Sequence, residues 1–100
     1  MTASTPGRHA ATVLLVDNHP QMRKELHTLL QDDADLTVVG EASDGREALE
    51  QVRTLSPDVV VMGITLPNMN GIEATRRILA EAPDTRVTPV VQNKLAGLFK

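Results

Sequence analysis

Four short apolar runs punctuate the chain, at residues 12–16 (TVLLV), 36–42 (LTVVGEA), 58–62 (DVVVM) and 87–91 (VTPVV). Between them, apolar residues recur every three or four positions. The first run is β-branched and apolar, which suits a strand buried on both faces. The third is apolar almost throughout, as a central strand should be. The fourth carries Pro89, which cannot donate to a ladder, and so reads as a weaker strand.

The intervening stretches read as helices. Pro20 suits a first helical position, where its missing N–H leaves nothing unpaired. Met22, Leu26, Leu29 and Leu30 follow as one apolar stripe, ended by Asp32 and Asp33. Asp44 and Glu47 form a capping-box pattern ahead of a second stripe, Ala48, Val52 and Leu55, stopped by Ser56-Pro57. Asn70 and Glu73 repeat that pattern before Ile72, Thr75, Ile78, Leu79 and Ala82, which should face inward. Pro83-Asp84 ends this third helix.

Strictly alternating strands and helices predict an α/β fold, a doubly wound parallel sheet with right-handed crossovers and helices on both faces. Such sheets place ligand chemistry at the carboxyl edge of the strands. Gly63 sits at that edge, ending the third run just before ITLPNMNG. A side chain there would face the site, and glycine supplies none.

Composition narrows the function classes. The chain has 100 residues, enough for one small domain with a modest core. The formal net charge of −3 gives no general pull toward nucleic acid. A single Phe, with no Tyr or Trp, leaves little for stacking on bases or flavins. Cysteine is absent, which removes disulfide and thiol chemistry. The first ten residues, MTASTPGRHA, read as a disordered leader without the apolar run of a secretory signal. No stretch approaches the ~20 apolar residues of a membrane span, so the cytoplasm is the expected location.

Three segments, VLLVDNHPQMR, GEASDGREALE and PDVVVMGITLPNMNGIEATRRI, fall in order at strand ends. In them the chain resembles the receiver domain of bacterial two-component response regulators, nearest to the kind that precedes a LuxR-type helix-turn-helix. The resemblance covers residues 12–86. It implies a flavodoxin-like (CheY-like) fold, here truncated after about the fourth strand. The expected organisation is a leader at 1–10, an incomplete receiver-like domain at 11–91 and a divergent tail at 92–100.

The resemblance also implies a phosphorylation switch. A histidine kinase donates a phosphoryl group to an Asp ending the third strand, and an acidic pair ending the first strand helps hold Mg²⁺. Gly63 stands at the phosphoacceptor position. Asp17 keeps the first acidic position, which usually reaches the metal through water. Asn18 replaces the second, usually a direct carboxylate ligand. The Thr65 main-chain carbonyl remains as a metal ligand, and Pro67 belongs to the loop that follows. Val91 falls where a switch Thr belongs. Lys100 matches the switch Lys only faintly and across a large deletion. With one carboxylate left, Mg²⁺ binding is expected to be weak at best.

Substitutes for the missing Asp are poor. Asp58 lies at the other end of the strand, roughly 16 Å away at ~3.3 Å per residue. Thr65 carries only an unactivated hydroxyl. His19 beside Asp17 reads better as part of a helix-start turn. His9 in the leader and His27 on a polar helix face are not assigned as ligands.

Three functions are weighed. A non-phosphorylatable receiver-like module would bind a histidine kinase or a related response regulator through its first helix and nearby loops. A truncated remnant of a LuxR-type regulator would end in an unrelated tail after Arg86. A nucleotide-binding enzyme on the same scaffold is disfavoured, because no glycine-rich phosphate loop is present. No helix-turn-helix follows Lys100, which argues against autonomous DNA binding. An open fourth strand would leave an edge through which copies could associate.

Overall fold

A computed structural model describes residues 10–63, 66 and 69–90. The strands are β1 (Ala11–Val16), β2 (Leu36–Ala42), β3 (Val59–Gly63) and β4 (Arg86–Val90). They alternate with helices α1 (Pro20–Gln31), α2 (Gly45–Leu55) and α3 (Gly71–Glu81). All strand pairs are parallel, in the order β2-β1-β3-β4. The expected doubly wound architecture is present, with β1 and β3 central. The fourth strand begins one residue earlier than the apolar run suggests, because the Arg86 amide already donates to the Asp58 carbonyl at 3.0 Å. The leader up to residue 9, Val91 and the tail at 92–100 lie outside the described residues.

Alternation along β1 divides the core. Leu14 and Val16 join Val60, Met62, Ala48, Val52, Ala74 and Ile78 beneath α2 and α3. Val13 and Leu15 turn the other way, toward Leu26 of α1. A bulge in β2 makes this division possible. The register moves from Val13↔Val38 to Leu14↔Gly40, passing over Val39. One extra residue reverses the alternation. Leu36 and Val38 thus pack with α1, whereas Ala42 packs with α2. The same reversal brings Glu41 to the α1 side, where Arg23 Nε reaches it at 3.1 Å and His27 Nδ1 at 3.3 Å.

Both caps read from the sequence form. The Asp44 carboxylate accepts from the Glu47 amide and the Asn70 side chain from the Glu73 amide, each at 2.8 Å. Glu47 in turn reaches back to the Ser43 amide at 2.7 Å. Such a cap contributes about 1 kcal/mol by satisfying an orphan donor. Helix α2 ends on Ser56, whose φ of 48° is left-handed. Arg53 forks onto both oxygens of Glu81, at 2.7 and 2.8 Å, joining α2 to α3. That hydrogen bond holds the Glu81 carboxyl below its ordinary range and raises Arg53.

The apolar stripes are correct in kind but shifted in phase. On α3 the buried positions are Gly71, Ala74 and Ile78, while Ile72 is 64% and Leu79 43% exposed. The small side chains at 71 and 74 let the helix lie close to its neighbours, which turns the larger residues outward. Leu29 on α1 is 52% exposed, and Leu55 on α2 is also exposed. These four residues were expected to be core.

Pro89 fits β4 without disturbing its ladder. Since the Arg86 amide faces β3, strand alternation turns Thr88 the same way and turns Val87 and Pro89 outward. The missing proline N–H therefore falls on the outer side of the strand. This is the one side on which an edge strand tolerates it.

Candidate functional site at the carboxyl edge

The carboxyl ends of β1 and β3 meet where the chain leaves the sheet for α1 and for the segment before α3. Val16 pairs with Met62, so Asp17 and Gly63 stand side by side just beyond. Asp17 is fixed by both strand and helix. Its amide donates to the Ala42 carbonyl at 3.0 Å, and its carbonyl accepts from Arg23 Nη1 at 2.6 Å.

The Asp17 side chain is nearly buried and turned toward β3. A Cβ placed on Gly63 would meet Asp17 Oδ2 at 3.0 Å and the Val16 carbonyl oxygen at 3.2 Å. The carboxylate thus crowds the first atom of any side chain at position 63 and would have to give by a few tenths of an ångström to admit it. Gly63 is buried, and its φ lies outside the left-handed region. Glycine is therefore not demanded by the backbone angle there; the crowding comes from Asp17 Oδ2 and from the Val16 carbonyl oxygen.

The other oxygen of Asp17 is also engaged. Oδ1 accepts from the His19 amide at 2.8 Å and pairs with His19 Nδ1 at 2.9 Å. His19 is the N-cap of α1, as a helix-start residue, but its side chain makes no capping bond and turns back to Asp17 instead. The sequence alone pointed to the turn and missed this second role. The Asp17-x-His19 spacing was the available signal, because an Asx-type turn brings residues i and i+2 together.

Asn18 is exposed, and Thr65, Pro67, Val91 and Lys100 lie outside the described residues. Asp58 stands at the opposite edge. Its Oδ2 accepts from the Thr12 amide at 2.8 Å, and its amide donates to Thr12 Oγ1 at 2.9 Å, closing the amino ends of β1 and β3. His27 is taken up by Glu41.

Mg²⁺ requires several oxygen ligands in octahedral array, usually including more than one carboxylate. Among the described residues the edge supplies one carboxylate, already bonded to His19 and facing Gly63. Among the described residues, no three His, Asp or Glu side chains gather as a metal site. The donors among the described residues do not by themselves fit the ion. No helix among the described residues is long and apolar enough to cross a membrane.

Known proteins place this architecture. Response regulator GacA of Pseudomonas viridiflava is 44% identical over 78 residues, which cover 78% of this chain and 36% of that protein. Protein-glutamate methylesterase/protein-glutamine glutaminase 4 of Myxococcus xanthus is 47% identical over 79 residues, covering 79% and 21% respectively. The response regulator domain of Thermotoga maritima CheB superposes with a TM-score of 0.75 at 41% identity, covering 81% of this chain and 60% of that one. The chain spans about a third or less of the two full-length relatives. Regulators and an esterase share the matching segment, so the similarity attaches to the receiver and not to one subfamily. The response regulator receiver domain model matches residues 13–95, and the chain belongs to that family.

Proposed function

We propose that this receiver is a binding module of two-component signalling that does not accept a phosphoryl group. One observation carries the proposal: the β3 terminus bears Gly63, so no carboxylate stands at the phosphoacceptor position, and the neighbouring Asp17 Oδ2 lies 3.0 Å from where a Cβ would be. Acyl phosphate formation requires a carboxylate nucleophile at the transferring phosphoryl group. Asp17 is a poor replacement, since Oδ1 is held by His19 and Oδ2 faces the interior beside Gly63.

The binding surface remains formed. Helix α1 is complete and anchored through Arg23 and His27, and it presents Gln21, Lys24, Glu25, Thr28 and Leu29 around a shallow groove. In this proposal the partner is a cytoplasmic histidine kinase or a related response regulator. The module neither catalyses a reaction nor binds DNA by itself. It would act by occupying the partner's docking surface without draining its phosphoryl group.

The test pairs two measurements on the same protein. Autophosphorylated histidine kinases are mixed with the chain, and label transfer is followed beside binding by calorimetry. Binding without transfer is expected. Hydroxylamine-sensitive label on this chain would overturn the proposal, as would failure to bind any kinase or regulator from the organism that makes it.

A further inference from the structure

We propose that Gln51 of α2 closes the outer edge of β2, so that a second copy of the chain cannot add its own β2 there. In the order β2-β1-β3-β4, β2 is one of the two edges of the sheet. An edge strand turns the amides and carbonyls of alternate residues away from the sheet, where another chain can take them up. The Ala11 amide donates to the Asp35 carbonyl and the Asp17 amide to the Ala42 carbonyl, so the carbonyls of residues 35 and 42 face β1. Alternation then turns the backbone of Leu36, at one end of β2, and of Glu41, at the other, outward.

Both ends of this edge are already bonded within the chain. The Leu36 amide donates to the Asp33 carbonyl at 3.1 Å, as part of the turn between α1 and β2. Gln51 Nε2 donates to the Glu41 carbonyl at 2.6 Å. This second bond crosses from the middle of a helix to the strand and serves no turn or cap. Gly40 leaves room for it: a Cβ there would stand 2.5 Å from Gln51 Oε1 and 2.8 Å from Leu55 Cδ1. The bulge at Val39 lies between the two ends and breaks the regular repeat that an added strand would follow. β2 contains no proline, so its amides could all join a ladder and closure falls to a side chain. An arriving strand must displace Gln51 before it can use the Glu41 carbonyl. This inference does not rest on the phosphotransfer behaviour of the site.

The experiment titrates a synthetic peptide of residues 35–42 (DLTVVGEA) into the whole chain and into its Gln51→Ala variant, with the β2 amides followed by NMR. Binding about fivefold tighter to the variant is expected, the equivalent of the ~1 kcal/mol that one net hydrogen bond contributes. The shifts should centre on Val38 and Glu41. Gln51→Lys, which restores a donor on a side chain of similar reach, should return the affinity to that of the parent. Equal affinity for the parent and Gln51→Ala, no binding to Gln51→Ala, or shifts confined to β4 would each overturn the proposal. Should Gln51→Ala fail to fold, the unsubstituted protein decides the matter. Carboxamide protons of Gln51 that exchange severalfold more slowly than those of the exposed Gln21 support the closed edge, and equal rates overturn it.

Discussion

Gly63→Asp probes the carboxyl edge most directly. The new Cβ would lie 3.0 Å from Asp17 Oδ2, so its carboxylate would stand on the order of 4 Å from that of Asp17. Two such charges at an effective dielectric of about 20 repel by roughly 4 kcal/mol. Asp17 can escape by rotating away, but it then forfeits the bonds from His19, roughly 1.5–3 kcal/mol for a charged acceptor. Replacing a strand glycine returns about 0.5–1 kcal/mol. The expected net loss is about 2 kcal/mol, or roughly 8–16 °C in Tm for a domain of this size. Far-UV circular dichroism melts at pH 7 in EDTA measure it, since the chain lacks Trp and Tyr. Gly63→Asn provides the neutral control of similar shape. Mg²⁺ should recover much of the loss in the Asp variant and leave the Asn variant unmoved, because a second carboxylate creates an anionic ligand pair. If both variants melt together in EDTA, the Asp17 carboxylate does not stand beside position 63.

Three further outcomes are expected. Asn70→Ala removes the acceptor for the Glu73 amide and should lower stability by about 1 kcal/mol in urea denaturation, with the slope unchanged. Ser56→Gly relieves a left-handed residue and should raise the midpoint, by a net of roughly 0.5 kcal/mol after glycine's entropy is subtracted. Arg53→Gln should return the Glu81 carboxyl toward its ordinary range in a carbon-detected NMR titration. Because the folded-state pKa of Glu81 is depressed, the pair's stabilisation is present above the unfolded value, near 4.5, and is lost as pH falls through the folded one. The parent and Arg53→Gln should therefore differ at neutral pH and converge in acid.

Much of this fold is legible in the order of residue types. β-branched runs, Pro20 at a helix start and the Asp44 and Asn70 caps each fix a local conformation without help from afar. The helix faces were less legible, because burial on α3 favours the small Gly71 and Ala74 over the larger Ile72 and Leu79. Hydrophobicity alone ranks those residues the other way. Pro89 looked like a weakness because its sequence does not say which way its nitrogen faces. The bulge at Val39, which carries Glu41 to Arg23, has no sequence mark beyond the glycine that follows it. At the candidate site, the vacancy at Gly63 could be read from the strand pattern. That Asp17 Oδ2 crowds it could not, since this depends on the side-chain rotation that places Oδ1 on His19.

The outward-facing nitrogen of Pro89 also bears on how copies of this chain could polymerise. Growth of a sheet beyond its edge needs amide protons as well as carbonyls. On the outer side of β4, among the described residues, Val87 offers both and Pro89 offers only its carbonyl. A second β4 laid antiparallel against the first could exchange only the Val87 amide protons, leaving half of the possible bonds unmade. Fibre growth through this edge is thus starved of donors, and a strand that did extend the sheet would have to accept an incomplete ladder. Among the described residues, a single ring closure thereby removes one of the two amide donors on the outer side of β4.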